Sequence, residues 1–235
     1  MGRIIGGKVA KQNAYPWIVV IQSYVDDENF ELCGGALINS RYILTAAHCF
    51  GRKYVKITAR MGSNNRESGG MLLDIAAIYA NADFHMNLKH FKRIDQVMND
   101  IGLVKLKTPI EFNETIYPIC VMQDENFEPS PKSNLMIAGW GRDNPDKPQV
   151  QTKLLESRVE FVPWNICNAF FENTLDHSQL CGKGVTGNAC NGDSGGPLMY
   201  YDGTKVYVVG IISHGKCVDS PQVYTRVTSH LCWIK

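Results

Sequence analysis

The chain has 235 residues, a formal net charge of +1, and 44% hydrophobic against 20% charged residues. A single hydrophobic core stops growing near ~250–300 residues, so this length suits one compact unit or two small halves. The near-zero charge gives no field that would favour nucleic acid or an anionic membrane, and no apolar run approaches the ~20 residues that span a bilayer.

Read from the N-terminus, Met1-Gly2-Arg3 is too short for a secretory signal and reads as the remnant of a pro-segment or an expression start. Short runs rich in Val, Ile, Tyr and Leu follow, bounded by Gly, Pro, Asn or Asp. They predict strands at 17–25, 36–38, 53–60, 101–105, 135–138, 154–161, 206–211 and 223–227. Helical periodicity is scarce, with one short helix predicted over 165–172 and another over 228–235. Regular strands with few helices argue for antiparallel barrels or sandwiches rather than an α/β fold. The Pro- and Asn-containing stretch 107–118 is the best candidate linker between two halves, 4–118 and 119–235.

Eight cysteines restrict the chemistry further. Cys33 and Cys49, Cys167 and Cys181, and Cys190 and Cys217 are spaced for loop-closing disulfides, and the C-x₂-C repeats of a zinc site are absent. Disulfides imply an oxidising compartment, hence export. Asn113-Glu114-Thr115 is a sequon, and export makes Asn113 a candidate glycosylation site.

Three separated segments carry candidate chemistry. His48 follows the small residues of Leu44-Thr45-Ala46-Ala47 and adjoins Cys49. Asp100 stands directly before the apolar run Ile101-Gly102-Leu103-Val104. Ser194 lies in Gly192-Asp193-Ser194-Gly195-Gly196-Pro197, where glycines free successive backbone N–H groups to converge on one point. The last segment also satisfies the G-x-S-x-G pattern of α/β-hydrolases, but 197–201 reads as a strand where that fold needs a helix.

Together these segments resemble those of the chymotrypsin–trypsin family, in the same order His, Asp, Ser. The similarity runs from Ile4 to Ile234 through Ile4-Ile5-Gly6-Gly7, Cys33-Gly34-Gly35, Gly139-Trp140-Gly141 and 221–224. It implies an all-β fold of two six-stranded antiparallel barrels with a short C-terminal helix. It implies His48 as general base, Asp100 as its orienting partner and Ser194 as nucleophile, with the N–H groups of Gly192 and Ser194 as oxyanion hole. Arg3-Ile4 resembles the family's activation site. Cleavage there by an upstream protease would free Ile4 to bury its ammonium against Asp193.

The resemblance also shows where this chain departs. The specificity pocket's floor falls at Asn188 where trypsin-like members have Asp, and its wall falls at Gln222 where Gly is usual. Ala189 and Asn191 flank that pocket, His214 replaces a usual Trp, and Ser213 and Gly215 are placed to pair the substrate backbone as an added strand. Preference for Lys or Arg before the scissile bond is therefore not expected. The loop 24–32, with Asp26, Asp27, Glu28 and Glu31, is acidic and expected on the leaving-group side. The loop 85–98, with Lys89, His90, Lys92 and Arg93, is expected to border the cleft. The short 63–71 loop with its one acid, Glu67, and Pro221 speak against calcium and sodium sites, so no cofactor or metal is implied. The implied partners are protein or peptide substrates, an activating protease, and a pro-domain tethered through Cys120. Cys120 and Cys232 bridging each other stays open, and a protease-like scaffold with an occluded pocket is the alternative function.

Overall fold

The computed structural model describes residues 6–89 and 93–235; Arg3, Ile4, His90 and Lys92 lie outside the described residues, as do the side chains of Lys89 and Arg93. The first half holds β1 (Lys8–Val9), β2 (Ile18–Tyr24), β3 (Phe30–Leu37), β4 (Tyr42–Thr45), β5 (Lys56–Met61), β6 (Met71–Leu73), β7 (Ile75–Ala80), β8 (His85–Lys89), β9 (Arg93–Met98) and β10 (Gly102–Leu106). The second holds β11 (Cys120–Val121), β12 (Asn134–Gly139), β13 (Leu155–Phe161), α1 (Trp164–Phe170), β14 (Gln179–Gly184), β15 (Pro197–Tyr201), β16 (Val206–Gly215), β17 (Gln222–Arg226) and α2 (Leu231–Ile234). The α-helices are short, seven and four residues, as the scarce helical periodicity predicts.

In the second half β13, β12, β15, β16, β17 and β14 form a ring, closed by pairing of β14 with β13. In the first half the path runs β6-β5-β2-β3-β4-β10-β7. Its two ends are consecutive in the chain, separated by Asp74 alone. β6 and β7 thus act as one bent strand, and its bend at Asp74 makes the first half a six-membered barrel. Such closure removes exposed strand edges.

Both barrels are filled by the alternating and continuous apolar positions that the strand runs supply. Ile21, Leu37, Ile43, Leu44, Met61, Ile101 and Leu106 are buried in the first, and Leu135, Ile137, Leu155, Leu180, Leu198 and Tyr224 in the second. Full burial of one such side chain stabilises by about 1.5–3 kcal/mol. Trp17 lies across the junction, its Nε1–H donating to Met199 Sδ at 3.2 Å. β1 crosses over and pairs with β13, so the start of the chain is part of the second sheet. The hairpin β8–β9 forms a separate two-stranded arm ahead of Asp100.

Candidate active site

β4 ends in a 3₁₀ turn, Ala47–Phe50, that carries His48. The Cys33–Cys49 disulfide ties this turn to β3. Asp100 sits immediately before β10, after Asn99 in the left-handed region at φ 51°. The first barrel brings the two together: Asp100 Oδ1 accepts from the His48 backbone N–H at 2.9 Å and Oδ2 meets the ring Nδ1 at 2.7 Å. The second barrel fixes Asp100 from behind. Ser213 Oγ donates to Oδ2 at 2.6 Å, and Thr225 Oγ1 donates to the Asp100 carbonyl at 2.8 Å.

The electrostatics follow from burial and charge pairing. Asp100 is 1% exposed. Burial alone would raise its pKa, but His48 and the converging hydrogen bonds hold it below the usual carboxylate range. Burial likewise presses the His48 pKa down, and the Asp100 charge and hydrogen bond outweigh it, leaving the imidazole above its ordinary value. His214, whose Nδ1 lies 3.2 Å from Ser213 Oγ, is pushed by burial down to about 4 and stays neutral.

Ser194 is held in the turn between β14 and β15. Gly34 N–H donates to its carbonyl at 2.7 Å, and Gly195 N–H donates to Ile212 at 2.8 Å, locking the loop between both barrels. Gly195 has φ +80°, and a Cβ there would meet Thr45 Oγ1 at 2.2 Å, so only glycine fits. Among the described residues, no protein acceptor takes the N–H of Gly192 or Ser194. Both donors remain available to an oxyanion. Ser194 and His48 line the same two clefts, and Ser194 Oγ makes no hydrogen bond to the ring among the described residues. Such contacts are commonly loose without substrate.

Asp193 is 1% exposed and lies over the backbone of Gly139 and Gly141. Its carboxylate accepts from Gly141 N–H at 2.7 Å and Cys190 N–H at 2.9 Å. Burial raises its pKa to about 6 despite those donors, and among the described residues no cation pairs with it. The Gly139-Trp140-Gly141 motif leaves room for this carboxylate: a Cβ on Gly141 would stand 2.4 Å from Oδ2.

Two clefts meet at Ser194. The smaller, about 240 Å³, is lined by Met86, Ala189, Asn191, Ser213, His214, Gly215 and Gln222 among others. Gln222 closes its depth. The Gln222 Oε1 accepts from Ala189 N–H at 2.9 Å while its Nε2 donates to the Ala189 carbonyl at 2.6 Å. Asn188 does not line this cleft. It is 3% exposed and bound to backbone, Oδ1 accepting from Gly184 N–H and Nδ2 donating to the Ser220 carbonyl, and it lines a separate hollow with Lys183, Gly187 and Asp219. The larger cleft, about 630 Å³, contains the acidic hairpin residues Glu28 and Glu31 together with Arg66, Arg142, Gln149 and Gly192. Sequence reasoning placed the acidic hairpin there but not Arg66 or Arg142, although Arg142 directly follows the recognisable Gly139-Trp140-Gly141.

The Cys33–Cys49, Cys167–Cys181 and Cys190–Cys217 disulfides form as their spacing predicts, while Cys120 and Cys232 are free and exposed rather than joined to each other. Cys33, His48 and Cys49 cluster closely enough for a metal, but the bridge consumes both thiolates. No helix among the described residues is long and apolar enough to cross a membrane.

An imidazole held by a buried carboxylate and lining the same clefts as a serine, at the junction of two β-barrels, resembles the arrangement of the serine peptidases. The comparisons narrow it: the family model described as Trypsin matches residues 4–234, and the chain belongs to that family. It is 34% identical to a phenoloxidase-activating enzyme of Bombyx mori over 99% of this chain and 60% of that protein. It is 33% identical to transmembrane protease serine 11G of Mus musculus over 100% of this chain and 55% of that protein. It is 34% identical to the clotting factor G beta subunit of Tachypleus tridentatus over 99% and 79%. A solved structure described as "Structure of GrC" superposes with a TM-score of 0.82 at 25% identity, covering 97% of this chain and 96% of that one. The chain thus spans little more than half the length of the first two relatives.

Proposed function

We propose that this chain is a secreted serine endopeptidase, activated by cleavage after Arg3, with narrow specificity unlike trypsin's. The observation that carries the reading is the 2.7 Å contact of His48 Nδ1 with buried Asp100, beside a serine whose neighbouring N–H groups are unused. Asp100 fixes the tautomer with the proton on Nδ1, leaving Nε2 as base. Ser194 Oγ adds to the peptide carbonyl as His48 takes its proton, and the N–H groups of Gly192 and Ser194 hold the oxyanion. The imidazolium, stabilised by Asp100, returns the proton to the leaving amine, and water hydrolyses the acyl-enzyme by the same route.

Activation draws on Asp193. A buried carboxylate without a cation is costly, and the ammonium of a freed Ile4 is the partner that the family resemblance supplies. Export, glycosylation at exposed Asn113 and tethering of an upstream segment through Cys120 complete the reading. Relatives named as an activating enzyme and a clotting factor support a place in a proteolytic cascade acting on protein substrates. The test is hydrolysis of peptides by the chain cleaved behind Arg3. Ser194→Ala should lower kcat by about 10⁶-fold; a drop below tenfold refutes the assignment.

One observation favours a second reading. Gln222 occupies the depth of the pocket and satisfies Ala189, as it would in a protease-like scaffold that binds proteins without cutting them. That reading requires the cleaved chain to be inert toward every member of a peptide library.

A further inference from the structure

Among the described residues, the larger cleft contains one cation without an acidic partner, Arg142, and it stands beside the oxyanion donors. Arg142 N–H donates to the Asn191 carbonyl at 2.9 Å, and the neighbouring Gly141 Cα lies 3.0 Å from where a Cβ on Gly192 would be. Its side chain lines the cleft, yet Nε is buried without a hydrogen-bond partner, and no acid pairs with the guanidinium among the described residues. The other charges there are mostly committed. Arg66 pairs with Glu67 at 2.7 Å and donates from Nε to the Gln151 carbonyl. Glu31 pairs with Arg52 at 3.1 Å and accepts from Tyr54. Glu28 stands at the tip of the β2–β3 hairpin and is exposed.

We infer that Arg142 is a carboxylate-recognition residue that selects substrates with Asp or Glu within the first two positions after the scissile bond. A planar guanidinium with a buried unfilled donor is matched by a carboxylate, which accepts from two N–H groups at once. A lysine in the same place would leave that donor unfilled and add like-charge repulsion. The preference is for a side chain, since a cleft of about 630 Å³ open along the hairpin admits a continuing polypeptide. This rests on the proposed endopeptidase activity.

The test uses the cleaved chain and a peptide that it cuts, extended and C-terminally amidated, with Glu, Gln or Lys at each of the two positions after the scissile bond. Glu should exceed Gln by about tenfold in kcat/KM, as a charge-assisted hydrogen bond allows, and Lys should be lowest. The Glu advantage should shrink at 1 M salt. Arg142→Gln should remove the ratio and Arg142→Glu should invert it toward Lys. A fluorophosphonate-reactive wild-type enzyme that is indifferent to these charges, or prefers Lys, overturns the inference alone. So does a preference seen only with a free C-terminal carboxylate. A wild-type enzyme that does not react with the probe overturns the underlying activity instead.

Discussion

Gln222 and Ala189 are joined by two hydrogen bonds, one through each atom of the glutamine amide, so the side chain behaves as a short strand laid across the specificity pocket. What remains is a cleft of about 240 Å³ with no charged floor. Shape rather than charge is therefore expected to decide which residue precedes the scissile bond.

Gln222→Gly should reopen the depth. The wild-type enzyme is expected to favour small uncharged residues before the scissile bond, and the variant should gain at least about tenfold in kcat/KM for Leu, Met or Phe. Peptide-library profiling of both proteins reads this directly. A dominant Arg preference in the wild type would contradict the account.

Asp193 should make the uncleaved chain sensitive to pH. Its folded pKa of about 6 lies above the unfolded value of 3.8, so the folded state binds the proton more tightly. Stability is then present at low pH and lost as pH rises from about 4 to about 6, by about 3 kcal/mol in total. Denaturant melts across that window should show the loss in the uncleaved wild type. Asp193→Asn should flatten it, and cleavage behind Arg3 should recover it.

His48 must be neutral to accept a proton, and Asp100 holds its pKa up. Activity of the cleaved enzyme should therefore rise with pH along a limb above 6.5. Asp100→Asn should lower kcat by about 10⁴-fold and move that limb to lower pH. Ser213→Ala removes the 2.6 Å bond to Asp100 together with the 3.2 Å contact with His214 Nδ1, and a loss of about tenfold is expected. A pH–rate profile unchanged in Asp100→Asn would remove that residue from the mechanism.

Cys120 and Cys232 should each react with a maleimide in the native protein, giving two labels per chain while the three bridges stay intact. Peptide mapping that finds these two residues in one disulfide would show that they pair in solution.

Much of this was legible in the residues. Glycines around Ser194, the acid before the apolar run at 101, and the cysteine spacings each state a backbone or covalent requirement, and such requirements are local. The strand 17–25 was legible as a continuous run of Ile and Val, and 154–161 because Leu155, Val159 and Phe161 alternate with Glu156, Arg158 and Glu160. The β8–β9 hairpin was read as a charged loop because Lys89, His90, Lys92 and Arg93 dominate the middle of the segment, masking the alternation of Met86 and Leu88 that pairs in register with Val97 and Ile94. The bend at Asp74 left no composition signal. Nor could sequence say that Asn188 faces backbone, or that the Gln222 amide points at Ala189, since both depend on partners more than 30 residues away, Ser220 for Asn188 and Ala189 for Gln222. The unfilled Arg142 donor is likewise a property of what surrounds it.

The central claim is that Ser194 is an activated nucleophile. A fluorophosphonate probe applied before and after cleavage behind Arg3, followed by mapping of the modified peptide, tests it most directly. The account predicts fast, stoichiometric modification of Ser194 in the cleaved chain, little in the uncleaved one, and none in His48→Ala. A cleaved, folded chain that resists the probe would contradict it.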